Sequence, residues 1–161
     1  MKSSISTRNI LLAIFLSILG LVGGIKQTLA QESSSVCGML SGTHIWSAAD
    51  GPYTVSCNVT VPEGSELTVE PGTVVKFNNN TRLNVYGTLI VNGTDIEPVY
   101  MTSIADGSVD GSSVGTLRPQ SWYGVYFVPG SVGTINGLIQ RYAGYKDSNG
   151  RMAGIDIQSP N

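Results

Sequence analysis

The chain has 161 residues, nine basic and eleven acidic, for a net charge of −2. Lys2, Arg8 and Lys26 all precede Gln31, so residues 31–161 set six basic side chains against eleven acidic ones, a net of −5. That balance excludes nucleic acid and anionic membrane surfaces as partners held by bulk charge. Gly, Ser, Thr, Asn and Val dominate and long helix-forming runs are missing, which points to an all-β class in a single domain.

In chain order, Lys2 and Arg8 flank an apolar run from Ile10 to Val22, and Thr28-Leu-Ala30 offers small residues at the two positions that a signal peptidase reads. Residues 1–30 are therefore expected to be a secretory signal peptide, helical before cleavage, with the cut before Gln31. The apolar run is shorter than the roughly 20 residues of a spanning helix, and no later segment is a candidate membrane helix. Secretion places Cys37 and Cys57 in an oxidising compartment, where a disulfide between them would close the N-terminal segment. Residues 31–41 read as a polar leader, with Gln31 to Ser35 expected to be disordered. The remaining 42–161 form the folded module.

Within that module the expected strands are Cys57–Val61, Glu66–Val69, Thr73–Phe77, Arg82–Tyr86, Thr88–Asn92 and Pro98–Thr102, separated by Pro-Glu-Gly64, Glu-Pro-Gly72 and similar turns. Three of them recur. Val59-Thr-Val61 returns as Leu83-Asn-Val85 at an offset of 24, Leu67-Thr-Val69 as Leu89-Ile-Val91 at 22, and Val74-Val-Lys-Phe77 loosely as Val99-Tyr-Met101 near 25. Successive strands that repeat in order at one offset fit a three-sided coil, each strand lying parallel over its predecessor about 4.8 Å away. Glu63, Glu66, Glu70 and Lys76 then fall at solvated corners and outward positions. An antiparallel sandwich is the rival, and Asn92-Gly93, Asn136-Gly137 and Asn149-Gly150 are its hairpin signals.

Ile104–Ser121 interrupts the rhythm as a loop of the length usually reserved for function or disorder. Strands are expected to resume at Trp122–Val128, to run through Thr134–Tyr142, and to begin again at Ala153–Gln158. A coil needs blocked ends, and nothing beyond Ile157 is long enough to supply a cap. The chain is therefore expected to be a fragment of a longer coil that self-associates through its uncapped end.

With the repeats placed, Tyr53–Gly64, Leu67–Phe77, Val85–Val91 and Val99–Ser103, followed by Trp122–Phe127 and Ile139–Gly144, resemble the opening coils of bacterial secreted right-handed parallel β-helix proteins of the pectate-lyase-like superfold. The resemblance covers about 42–158. It implies a secreted or cell-surface scaffold, adhesin-like, that presents a rigid face to an extracellular surface or glycan. Some relatives are carbohydrate-active enzymes, so the competing expectation is a fragment of a polysaccharide lyase or glycoside hydrolase without its catalytic coils.

Few residues carry chemistry. Lyases of this fold hold calcium with several acidic residues, and hydrolases use paired Asp. No such pair projects from a strand here, no catalytic residue is assigned, and a non-enzymatic role is preferred. Asp106 and Asp110 in the inserted loop are weak calcium candidates, with an ordinary solvated turn as the plainer reading; no other cofactor is implied. His44, the single histidine, lacks a partner for catalysis or zinc and reads as structural. Trp122, Tyr123 and Tyr126 are the ligand-binding candidates, because outward rings on a coil suit sugar stacking; Tyr142 and Tyr145 are lesser ones. Asn58-Val-Thr60, Asn79-Asn-Thr81 and Asn92-Gly-Thr94 match the N-glycosylation pattern, as composition alone would produce.

Overall fold

A computed structural model describes residues 33–144 and 154–157. Residues 1–30, read above as a signal peptide, the start of the expected polar leader, Tyr145 and Ala153 lie outside these described residues. Within them there are twelve strands and no helix, and hence no helix long and apolar enough to cross a membrane.

The strands are β1 Ser34–Met39, β2 Thr43–Trp46, β3 Tyr53–Val61, β4 Glu66–Val69, β5 Val74–Phe77, β6 Arg82–Val85, β7 Thr88–Asn92, β8 Val99–Ser103, β9 Gly124–Phe127, β10 Val132–Asn136, β11 Leu138–Gln140 and β12 Ile155–Ile157. Every pairing among them is parallel. The Asn-Gly dipeptides within the described residues therefore do not close antiparallel hairpins. β10, β7, β4 and β2 form a four-stranded sheet, and the remaining eight strands form a second, curled sheet.

The curl comes from β3. Its first part, Tyr53–Val55, pairs with Val75–Phe77, while its last part, Val59–Val61, pairs with Leu83–Val85. One continuous strand thus feeds two ladders. The first stacks β3, β5, β8 and β11; the second stacks β3, β6, β9 and β12; the four-stranded sheet is the third. The next two circuits each add a strand to every ladder, and β11 and β12 extend the first two, giving a solenoid-like arrangement. The two firmest sequence repeats pair in register, Val59 with Leu83 and Leu67 with Leu89. The loose third repeat pairs one residue further on than the sequence suggested, Val74 with Tyr100.

Alternation explains the interior. Val55, Val59, Val61, Leu67, Val69, Val75, Phe77, Leu83, Val85, Leu89, Val91, Val99 and Met101 are all fully buried, stacked on their own kind from circuit to circuit. Each such side chain contributes about 1.5–3 kcal/mol on burial. Corners demand close backbone approach. A Cβ on Gly93 would lie 2.1 Å from the Gly137 carbonyl oxygen, and Gly137 itself has φ +54°. This stacked glycine pair breaks the run expected at Thr134–Tyr142 into β10 and β11.

The corner between the first two ladders widens as the chain proceeds. It is Cys37 alone in the first circuit, Ser56–Asn58 in the second, and the stretch between Phe77 and Leu83 in the third. In the fourth it is everything between Ser103 and Val125. The inserted loop is thus an enlargement of one vertex. The chain re-enters the stack at Ser121, whose carbonyl accepts from the Asn80 amide.

Two expectations are corrected. Ser34–Met39, within the segment read as a polar leader with a disordered start, is a strand: Ser34–Val36 lie over Tyr53–Val55, and Gly38 and Met39 over Val59 and Thr60. Cys37 and Cys57 are joined by a disulfide, Cα atoms 5.0 Å apart, at the register shift between those two stretches. Lys76, expected at a solvated outward position, is only 2% exposed. Its position does face outward, but residues from the inserted loop fold back over it.

Candidate functional site

The second ladder presents a continuous outer row. Val59, Val61, Leu83, Val85, Val125 and Phe127 point into the core, so the alternate residues point out. Registered pairings align Thr60, Asn84, Tyr126 and Asp156 from four successive circuits. Asn84 Nδ2 donates to Thr60 Oγ1 at 3.3 Å, which fixes the amide plane along the row.

Arg82 opens β6 beside this row. Its backbone amide donates to Asn58 Oδ1 at 3.1 Å. In the next circuit its register partner is Gly124, which has no side chain to occupy the space above it. The guanidinium lies 5.8 Å from the Tyr123 ring centroid and 6.0 Å from that of Tyr126. At an exposed site each such contact is worth about 0.5–1 kcal/mol, enough to bias the arginine rotamer without immobilising it. The patch combines ring faces, an amide, a hydroxyl, a carboxylate and a cation. These groups place hydrogen-bonding atoms and ring faces side by side on one outer face.

Trp122 does not join Tyr123 and Tyr126. It is 0% exposed, stacked on Phe77 at 3.9 Å between centroids, and its Nε1 donates to the Arg141 carbonyl at 2.9 Å. It pairs by a bridge with Ala143 at the corner and contributes packing in place of a ligand surface. Tyr142 is half-buried with φ 58° and packs against the core.

Asp106 and Asp110 are bound to the protein itself. Asp106 is 1% exposed. Its Oδ2 accepts from Thr102 Oγ1 at 2.8 Å, and its Oδ1 accepts from the Ser108 amide at 3.0 Å and the Ser108 hydroxyl at 2.6 Å. Arg141 Nη1 lies 3.8 Å from Oδ2 and donates to Ser108 Oγ at 3.0 Å. Burial opposes ionisation of Asp106, but the Ser108 hydroxyl, the Thr102 hydroxyl, the Ser108 amide and the Arg141 charge together outweigh it, holding the carboxyl below its ordinary value. Asp110 Oδ1 accepts from Lys76 Nζ at 2.8 Å and from the Ser112 amide at 3.0 Å, and Lys76 also donates to the Ser112 carbonyl. The plain solvated turn is thereby corrected: the root of the loop is an ionic clamp. Among the described residues no three His, Cys, Asp or Glu side chains gather closely enough to hold a metal ion.

His44 sits over Leu67 in the third ladder, half-buried, with Nε2 3.1 Å from the Ser41 carbonyl oxygen. Sequence reasoning missed Arg82, Asn84, Thr60 and Asp156 as companions of Tyr126. The signal was available, since all of them lie on the outward phase of strands whose inward phase is plainly apolar.

Compared with known proteins, the chain matches no family model, no curated protein and no solved structure. Fold and site geometry therefore carry the functional reading unaided.

Proposed function

We propose that the chain is a right-handed parallel β-helix module, secreted or held at a cell surface, that serves as a scaffold and recognises an extracellular glycan through the outer face of its second ladder. Right-handedness follows from the general rule for parallel crossovers. The observation that carries the reading is the registered row Thr60–Asn84–Tyr126–Asp156, with Arg82 beside it between Tyr123 and Tyr126. Strands about 4.8 Å apart hold these groups at a fixed pitch. An extended sugar chain could then be met by a ring face and several hydrogen-bonding groups without ordering any loop, and that preorganisation favours affinity.

The test is a glycan array probed with the full chain, alongside Tyr126→Ala and Arg82→Ala. The expected result is binding to a restricted set of glycans that both variants lose while keeping the wild-type circular dichroism spectrum. Binding unaffected by either variant would move the site elsewhere, and silence across the array would leave a scaffold without glycan recognition. Release of unsaturated product from polygalacturonate with calcium would favour the enzymatic alternative.

A further inference from the structure

The first ladder carries a second row, its middle buried beneath the loop at Lys76 and Thr102. Thr54, Lys76 and Thr102 are aligned by register, and Arg141 follows Gln140, which pairs with Met101 beside Thr102. Two cations therefore stand on one outer face, two strands apart, roughly 9.6 Å at the usual strand spacing. The position of Lys76 faces away from the core, yet the side chain is 3% exposed, because its cover comes from Asp110 and Ser112 of the loop. Asp106 meets Thr102 and Arg141 in the same way. The loop thus lays two carboxylates along a row that, without them, would be cationic.

We propose that Lys76, Thr102 and Arg141 form a latent binding strip for a strong-acid polyanion, a sulfated glycan, and that the stretch between Ser103 and Ser121 is an internal strap that acid releases. This goes beyond the glycan face of the second ladder and does not depend on it. Protonating Asp106 weakens the tie to Thr102 and Arg141 at the root of the strap, and a strap that lifts there carries Asp110 and Ser112 off Lys76, whose ammonium water can then reach. The groups facing the two carboxylates are Lys76 from β5, Thr102 from β8, Arg141 after β11, and Ser108 and Ser112 of the loop itself. The Tyr100 ring from β8 flanks Arg141.

Acid also removes the net negative charge that opposes a polyanion near neutrality. A uronate polymer would lose its own charge over the same range, whereas sulfate esters keep theirs, so the chemistry selects sulfate. The strip has no open ring on which bases could stack, because Arg141 already lies 5.4 Å from the Tyr100 centroid; that disfavours single-stranded nucleic acid.

The experiment measures binding of fluorescent dextran sulfate to the full chain, with neutral dextran as control. Wild type is expected to bind weakly at neutral pH and to gain binding only as pH falls through the lowered folded-state value of Asp106, below the ordinary aspartate value of about 3.9. Asp106→Asn/Asp110→Asn is expected to bind about tenfold more tightly than wild type at neutral pH, about 1.4 kcal/mol. Adding Lys76→Gln to that variant should cancel the gain. If the double variant does not fold, Ile104–Gln120 is replaced by a single Asn, matching the five-residue corner between Phe77 and Leu83 one circuit earlier, and the same gain is expected. No gain in a folded variant, or a gain that survives Lys76→Gln, overturns the proposal. Equal binding of single-stranded DNA overturns the choice of a sulfated glycan.

Discussion

Phe77 and Trp122 stack face to face from successive circuits, ring centroids 3.9 Å apart and planes 9° from parallel. Both are fully buried, so this contact seals the corner at which the inserted loop leaves the stack. Trp122→Ala removes the ring, its stacking partner's cover and the bond to the Arg141 carbonyl. The expected cost is about 3–5 kcal/mol, read as a lower urea midpoint with an unchanged slope; a loss below about 1 kcal/mol would mean that the indole is not core.

Gly93→Ala tests the stacked corner. Its Cβ would lie 2.1 Å from one backbone oxygen and 2.7 Å from the Val99 nitrogen, atoms that cannot step aside as a side-chain tip would. A loss of more than about 2 kcal/mol is expected, whereas Asn92→Ala next to it, on the exposed face, should stay within about 0.5 kcal/mol. Thermal melts of the two variants distinguish the corner from the strand.

Asp106 predicts a pH window. Its folded-state carboxyl is held below the ordinary value, so its contribution to stability is fully present above about pH 5, where the unfolded group is also ionised. That contribution falls away as pH drops through the lower folded value. The stability difference between wild type and Asp106→Asn should therefore be constant from neutral pH down to about pH 5 and shrink below it. Denaturant unfolding at a series of pH values provides the check, and a difference that grows on acidification would contradict the assigned hydrogen bonds.

Cys37 and Cys57, 20 residues apart, close a loop worth about 3 kcal/mol in the chain-entropy account. Reduction, or Cys37→Ser/Cys57→Ser, should lower stability by about that amount. Hydrogen exchange should rise chiefly in Ser34–Met39, which lies at the end of the stack and pairs with β3 alone among the strands. Exchange that rises evenly through all five circuits would show that β1 is not a separable element.

Much of the stack is legible in the sequence. Val59-Thr-Val61 and Leu67-Thr-Val69 recur at short, nearly constant offsets, and parallel register simply copies those offsets into space. β1 is not legible because it offers little alternation: among Ser34, Ser35, Val36, Cys37 and Gly38, only Val36 is a clear core side chain. The burial of Lys76 escapes a local reading because its partner Asp110 lies 34 residues further along the chain. Tyr126 could be placed outward from its neighbours Val125 and Phe127. Trp122 could not, since it sits on a corner bridge, where strand alternation no longer dictates the side. The same limit hid the loop's clamp, whose carboxylates look solvated until the fold brings Lys76 and Arg141 beneath them.

The disulfide also has a mechanical meaning. Parallel strands stacked edge to edge yield to a pull on one terminus by peeling, one strand at a time, because only a few hydrogen bonds resist at any moment. A covalent tie between Cys37 and Cys57 carries tension from the first circuit straight into the middle of β3, bypassing everything between. Force applied upstream of Cys37 thus arrives on β3, a strand shared by two ladders, which must shear from both β5 and β6 together.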